Sequence, residues 1–328
     1  MLVEYYCSES LDRVNHPGMT EPLSYKYLFG PVPSRRLGRS LGVDLVPFKT
    51  CSTDCVFCQL GSVDHCTTTR REYVPLVDVL GELERWMAVD GRADYVTLSG
   101  SGEPTLHTGF GEVLRFVKRR SDMRSVLLTN STLLHLPEVR RDAAEADIIK
   151  VSLSAWDQVS FEKVNRPHPE LNFDRMVDGL RALRAEYCGT LWMETFIVPG
   201  LNAHPEEVRK MAAVAAGIQP DRIQLNTAVR PPAEEFVQAV PPEYLQKLAG
   251  FFTPPAEVIA SFQPGEKAFT LLDETTLSRL IARHPATAEQ LAHMTGHSEA
   301  AVQNLLAQLG EALSKSERNG EIYYKAAD

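Results

Sequence analysis

No apolar run among the 328 residues approaches the roughly 18 that a membrane helix needs. A secretory signal is not expected of Met1-Leu2-Val3-Glu4-Tyr5-Tyr6, which carries an acid where such a signal carries basic residues. Cytoplasmic residence is the expectation. There is no cationic excess: the net charge of −9 argues against a broad nucleic-acid-binding surface, though not against a local basic patch. Internal repeats and low-complexity tracts are absent. Cysteine is scarce and uneven, with three of the six in one eight-residue stretch. Without an export signal, that clustering favours reduced, metal-binding thiols over disulfides. Cys7, Cys66 and Cys188 form no second cluster pattern and read as structural or incidental, Cys66 being the one that follows the triplet closely.

The stretch Lys49-Thr50-Cys51-Ser52-Thr53-Asp54-Cys55-Val56-Phe57-Cys58 has the spacing C-x3-C-x2-C. Three close thiolates suit a soft metal or three corners of an iron–sulfur cluster. They cannot close a four-coordinate zinc site or fill all corners of a [4Fe–4S] cluster, so one iron would stay open to a small molecule. The alternative is a zinc knuckle finished by a distant His or Cys.

Around this stretch, short apolar runs alternate with helical patterns. Candidate strands are Leu41–Val46, Tyr95–Ser99, Ser125–Thr129, Ile148–Ser154, Leu191–Val198 and Arg222–Val229. Candidate helices are Leu76–Val89, Gly109–Arg120, Pro137–Ala146, Phe173–Glu186 and Pro205–Ala216, with one more at Pro242–Gly250. This alternation predicts a parallel α/β architecture. Six units are too few for a closed eight-stranded barrel, so an open or partial (β/α)6 TIM-like barrel is expected over residues 28–264. Residues 1–27 read as a leader, and Phe29–Ser40, rich in Gly and Pro, as a loop carrying Arg35, Arg36 and Arg39. Over 265–328 the pattern changes to three helices, Glu274–Arg283, Thr287–Met294 and Ser298–Leu313, then a hairpin at Ser316–Tyr324. That outline predicts a small winged-helix-like α+β domain.

Active-site residues of parallel barrels lie at the carboxyl ends of the strands, and polar residues collect there. Gly102 and Glu103 follow the second strand, where glycine lets backbone approach a ligand and the carboxylate can accept from an ammonium group. Asn130 follows the third. Lys150, Ser152 and Ser154 alternate along the fourth and so face one side. Glu194 lies on the fifth; Asn226 and Arg230 lie at the sixth. Thr129, Ser131 and Asn202 read as loop or turn residues.

With these residues in view, the chain resembles the radical S-adenosylmethionine (SAM) superfamily over about residues 28–235. Gly102-Glu103 sits where that superfamily places its contact to the SAM amino group, and Asn130 with Ser152 or Ser154 where ribose and carboxylate contacts are found. The phrases FGPVPSRRLGRSLGVDLVPFKTC, LSGSGEPTL, VNRPHPELNF and LNTAVRPP further resemble Fe–S oxidoreductases related to the wyosine-type tRNA-modifying enzymes. Those enzymes carry a second cysteine set, which this sequence lacks. The resemblance implies a [4Fe–4S] cluster on Cys51, Cys55 and Cys58, and SAM held by Gly102, Glu103, Asn130, Ser152 and Ser154. It also implies a low-potential electron donor such as ferredoxin or flavodoxin, and a 5′-deoxyadenosyl radical that takes hydrogen from substrate. Lys150, Glu194, Asn226 and Arg230 are the candidate catalytic or substrate contacts, and Lys150 and Arg230 point to an anionic group.

The substrate stays open between an RNA nucleoside, a peptide or protein, and a small anionic metabolite. Arg115, Lys118, Arg119, Arg120 and Arg124 favour RNA if they share a face with the 35–39 loop. The C-terminal unit is acidic, with six Lys/Arg against nine Asp/Glu, and Ser298–Leu313 has no cation. DNA binding is therefore not expected of it; partner contact or packing over the open barrel is. A different class is a cluster or zinc metalloregulator reporting through the winged helix.

Overall fold

The computed structural model describes residues 25–34, 38–63, 65–89, 91–259, 273–318 and 320–327. Most of the expected leader and the 264/265 boundary lie outside them, as do Arg35 and Arg36. The chain runs β1 (Leu28–Ser34), β2 (Gly38–Val43), β3 (Thr50–Cys51), β4 (His65–Cys66), α1 (Leu76–Val89), β5 (Tyr95–Leu98), α2 (Phe110–Arg120), β6 (Arg124–Thr129), α3 (Pro137–Ala143) and β7 (Ile148–Ser152). Then follow α4 (Gln158–Asn165), α5 (Phe173–Glu186), β8 (Thr190–Phe196), α6 (Pro205–Ile218), β9 (Arg222–Asn226), α7 (Pro242–Ala249) and β10 (Glu257–Val258). The C-terminal part holds α8 (Glu274–Arg283), α9 (Ala288–Thr295), α10 (Glu299–Leu309), β11 (Leu313–Arg318) and β12 (Glu321–Ala326).

The main sheet has the order β1-β2-β5-β6-β7-β8-β9-β10. From β2 to β10 every pairing is parallel, which makes the partial TIM-like barrel. β1 is added antiparallel, with Leu28 opposite Val43 and Phe29 opposite Gly42. The segment 29–34 is thus strand, not loop. Its prolines are admitted because β1 is an edge strand, whose outward N–H positions need no partner. The second departure is α4, whose Asp157 and Ser160 cap each other: Ser160 N–H donates to Asp157 Oδ1 at 2.8 Å and Asp157 N–H to Ser160 Oγ at 3.0 Å. The third is α10, which ends at Leu309 because Gly310, at φ 48°, turns the chain out of the helix.

Outward residues of the strands, such as Leu41, Val43, Val96, Leu127, Ile149, Val151, Leu191, Met193 and Leu225, pack against helix faces in one large core. α2 presents Phe110, Val113, Leu114 and Val117 to it, the i, i+3, i+4, i+7 stripe of an amphipathic helix. Inward residues form layers. Val126, Ile148 and Trp192 plug the amino end. Above them the lining turns polar: Ser40 and Thr97 share a 2.5 Å hydrogen bond, and Lys150, Glu194 and Gln224 continue the ring. Register fixes this layer, since Glu194 lies opposite Gln224 on one side and Ser152 on the other.

Phe110 is fully buried. Phe110→Ala should lower the unfolding free energy by about 3–5 kcal/mol, read from denaturant midpoints of the apo protein. A loss under about 1 kcal/mol would mean that α2 is not anchored through this ring.

Candidate active site

The cysteine loop is closed at its base by the parallel pairs Thr50–His65 and Cys51–Cys66 of β3 and β4. Its outer side lies along the turn that follows α4. Val56 N–H donates to Val164 O (3.1 Å), Asp54 N–H to Arg166 O (3.0 Å), and His168 N–H to Ser52 O (3.0 Å). Arg166 sits in the left-handed region, at φ 44°, which swings the chain from helix into this seam. Asn165 at the end of α4 donates Nδ2–H to Cys55 Sγ at 3.2 Å, and Asn130 Nδ2 lies 3.4 Å from Cys51 Sγ and 2.8 Å from Ser52 Oγ. The Thr53 hydroxyl sits between the sulfurs, 3.7 Å from Cys51 and 3.4 Å from Cys55.

The inner side of the loop rests on the turn after β5. Glu103 N–H donates to Thr50 O at 3.1 Å, and a Cβ on Gly102 would fall 1.7 Å from that same oxygen. Only glycine admits such an approach. Glu103 is 2% exposed, and its carboxylate ties its own turn to the end of β6. Its Oε1 accepts from Thr105 N–H (3.1 Å), Thr105 Oγ1 (2.5 Å) and Thr129 Oγ1 (2.7 Å), while Oε2 accepts from Asn130 N–H (2.7 Å). Burial still pushes its carboxyl above the usual range, against the pull of those donors. Asp44, at the end of β2, accepts from Ser101 N–H (3.0 Å) and from the Ser101 hydroxyl, and pairs with Arg283 at 2.8 Å.

These groups surround one cavity of about 390 Å³, within the roughly 300–1,000 Å³ usual for small-molecule sites. It is lined by Cys51, Cys55, Cys58, Gly102, Glu103, Asn130, Lys150, Ser152, Glu194, Asn226 and Arg230. Ser154 is not brought to it; its hydroxyl accepts from Phe196 N–H at 3.0 Å and its carbonyl from Asn202 Nδ2 at 2.8 Å. Gln59 and His284 line the cavity as well. A depression of about 530 Å³ at the opposite, amino end of the strands is lined by Asp94, Arg120 and Arg124 and holds no thiol. The basic stretch of α2 belongs to that end, and Arg115, Arg119 and Arg120 are there paired with Glu112, Asp142, Glu145 and Glu84.

Sequence reasoning missed Thr53, Asn165, Gln59, Gln224 and His284. The phrase VNRPHPELNF carried the signal for Asn165, because its first five residues supply the seam against the thiols. Nothing local marked His284, whose place comes from a contact 225 residues away.

The profile of the radical SAM superfamily matches residues 45–212. The chain belongs to the radical SAM superfamily. A UPF0026 protein of Methanocaldococcus jannaschii is 30% identical over 304 residues, covering 90% of this chain and 94% of that one. A protein of Brachyspira hyodysenteriae named GTPase Obg is 33% identical over 308 residues, or 92% of this chain, but the chain spans only 45% of its length. This sequence has no Gly-Lys pair, so the G-x-x-x-x-G-K-[S/T] phosphate loop is absent from it. Among solved structures, TYW1 with a lysine–pyruvate adduct bound has 18% identity and a TM-score of 0.50, covering 70% of this chain and 76% of that one. A radical SAM methyltransferase from Sphaerobacter thermophilus has 17% identity and a TM-score of 0.51, covering 68% and 67%. Both are similar in fold.

The protein is an enzyme of this superfamily, whose cofactors are a [4Fe–4S] cluster and SAM. Its residues fit that pair. The three thiols are free and face one cavity, and no three His, Cys, Asp or Glu side chains among the described residues surround a point that would hold a lone metal ion. Burial pushes all three thiols up, Cys58 to about 12 with the nearby Cys55 adding to it. Thiolates so desolvated need the positive charge of iron. The amide of Asn165 and the hydroxyl of Thr53 are donors of the kind that tune cluster sulfurs.

Asn165→Ala should weaken cluster retention about tenfold, measured as the rate of iron loss to a chelator. An unchanged rate would remove Asn165 from the support of the thiols.

Proposed function

We propose that this enzyme delivers the 5′-deoxyadenosyl radical to a small anionic substrate held between the Lys150–Glu194 pair on the barrel floor and Arg230 at the rim. The observation that carries this reading is the ion pair itself. Lys150 Nζ meets Glu194 Oε2 with side chains only 7% and 17% exposed, on the inner wall below the thiols. A buried pair seldom adds to stability, because both charges must leave water. An apolar layer already fills the barrel beneath it, so packing does not ask for it. Gln224 Oε1 beside it is buried and finds no hydrogen-bond partner among the described residues, a cost of the kind tolerated where a ligand or water completes the site.

When bound, the reduced cluster and SAM supply the radical by cleavage of the S–C5′ bond. The chain's residues divide the remaining work. Cys51, Cys55 and Cys58 would hold the cluster by three of its irons, leaving the fourth for SAM. Among the described residues Glu103 Oε2 accepts one bond, against three on Oε1, and so keeps an acceptor position for the SAM ammonium. Gly102, Asn130 and Ser152 line the same wall, while Ser154 acts by holding the β7–β8 end in place. Asn226 bounds the substrate side. The surrounding protein excludes water from the radical. Electrons come from a low-potential donor, ferredoxin or flavodoxin, and the free thiols suit the cytoplasm.

Size and charge support a metabolite over RNA, since the arginines of α2 lie at the far end and are paired with acids. A metalloregulator gains no support: no lone-ion site forms among the described residues, and α10 offers no cation.

Anaerobically reconstituted protein should hold about one [4Fe–4S] cluster and release 5′-deoxyadenosine with dithionite and SAM, and the Cys51/Cys55/Cys58→Ala variant should do neither. An equal yield from that variant would refute the assignment. Cells carrying Lys150→Met should show the same change in small anionic metabolites as cells lacking the protein. A change confined to RNA nucleosides would overturn the substrate class.

A further inference from the structure

The C-terminal unit has its own small core of Leu277, Ile281, Ala286, Leu291, Val302 and Leu306. It is also joined to the barrel at several points around the mouth. Arg283 reaches Asp44 with Nε and Nη2, both at 2.8 Å, and its guanidinium lies 5.0 Å from the Phe29 ring centre. Gln59, the residue after Cys58, donates Nε2–H to Arg283 O at 2.9 Å. On the other side Tyr323 Oη donates to Val229 O (3.3 Å) and Arg318 Nη2 to Val237 O (3.1 Å). Leu280 and Met294 pack on Val32 of the edge strand.

This joint orients His284 over the cavity. Gln59 Nε2 lies 3.1 Å from His284 Nδ1, and Arg230 Nη1 lies 3.4 Å from it while donating to Gln59 Oε1 at 3.0 Å. The amide orientation is set twice, by the carbonyl of Arg283 and by Arg230. Two donors therefore face Nδ1, which selects the tautomer with its proton on Nε2.

We propose that the C-terminal domain is the outer wall of the active site: Arg283 and Gln59 dock it onto the cofactor loops, and across that joint His284 completes with Arg230 a rim that recognises the anionic group of the small substrate. The inference rests on the substrate class proposed above, and it adds a residue and a domain to the site. Arg283 acts as a positioning residue. It bonds Asp44, Asp44 holds Ser101, and Ser101 lies in the turn that carries Gly102 and Glu103. Loss of its guanidinium leaves Asp44 buried without its cation, so the domain loosens and the turn shifts. His284 acts by hydrogen-bond donation beside a fixed guanidinium, a pairing suited to a carboxylate or phosphate.

The test uses the full chain. In hydrogen–deuterium exchange of the apo protein, Arg283→Met should speed exchange in 273–318 and also in the barrel segments 56–61 and 99–104, and Arg283→Lys should restore much of the protection. In cluster-loaded protein, Arg283→Met should weaken SAM binding by equilibrium dialysis about tenfold, with Arg283→Lys intermediate. Tyr323→Phe, a milder change at the far side of the joint, should raise exchange in 226–237 and in the C-terminal strands together. Exchange that rises in the C-terminal unit alone, with SAM affinity unchanged, would overturn the proposal, as would salt-sensitive binding of duplex DNA by the wild-type chain. The exchange readings need neither cofactor nor substrate, so they stand apart from any failure of the radical assignment.

Discussion

Desolvated thiols are the constraint around which this structure is arranged. Cys51 ends β3 and Cys55 and Cys58 follow on the loop that leads to β4, and burial makes each a poor thiolate until iron supplies charge. A loop of that kind cannot hold itself. Here it is fastened from four directions: the β3–β4 ladder at its base, the 164–168 turn along one side, the Gly102–Glu103 turn beneath, and Asn130 from the end of β6. Glu103 matters most among these supports, because one carboxylate gathers donors from the 105 turn, Thr129 and Asn130. The residue expected to meet the cofactor is thus also the tie between the strands that build its site.

The rest of the barrel interior follows from the same division between packing and chemistry. Apolar side chains close the amino end, and polar ones begin one pleat higher, where strand alternation brings Lys150, Glu194 and Gln224 into one ring. Charges inside a barrel cost free energy that the fold has no reason to spend. Their position below the thiols gives the cavity a floor able to sort ligands by charge. At the rim, Gln59 joins the cysteine loop to the C-terminal unit in a single side chain, so that unit shares the frame of the cavity.

Much of this was legible along the chain, for reasons of range. α1, α5 and α8 begin and end where their amphipathic stripes do, and the six parallel strands show as buried apolar runs. The cysteine triplet is local, so its chemistry could be argued from spacing. β1 hid behind Pro31 and Pro33, which mark loops everywhere except on an edge. α4 is short, and its exposed Val159 blurs the periodicity. His284 was out of reach, because its role depends on a contact 225 residues apart; Asn165 lay inside a phrase that stood out, but its bond to Cys55, 110 residues away, could not be read from that phrase. Lys150 and Ser152 could be placed on one side of their strand, but the end of β7 at Ser152 is what separates Ser152, in the cavity, from Ser154, in the backbone tie.

The central claim is an iron left open by three-thiolate ligation and closed by SAM. Electron paramagnetic resonance of the reduced, reconstituted protein tests it most directly, with SAM carrying nitrogen-15 in its amino group. The account predicts that SAM changes the cluster signal and that hyperfine coupling to the labelled nitrogen appears. A signal unchanged by SAM, with no such coupling, would contradict it.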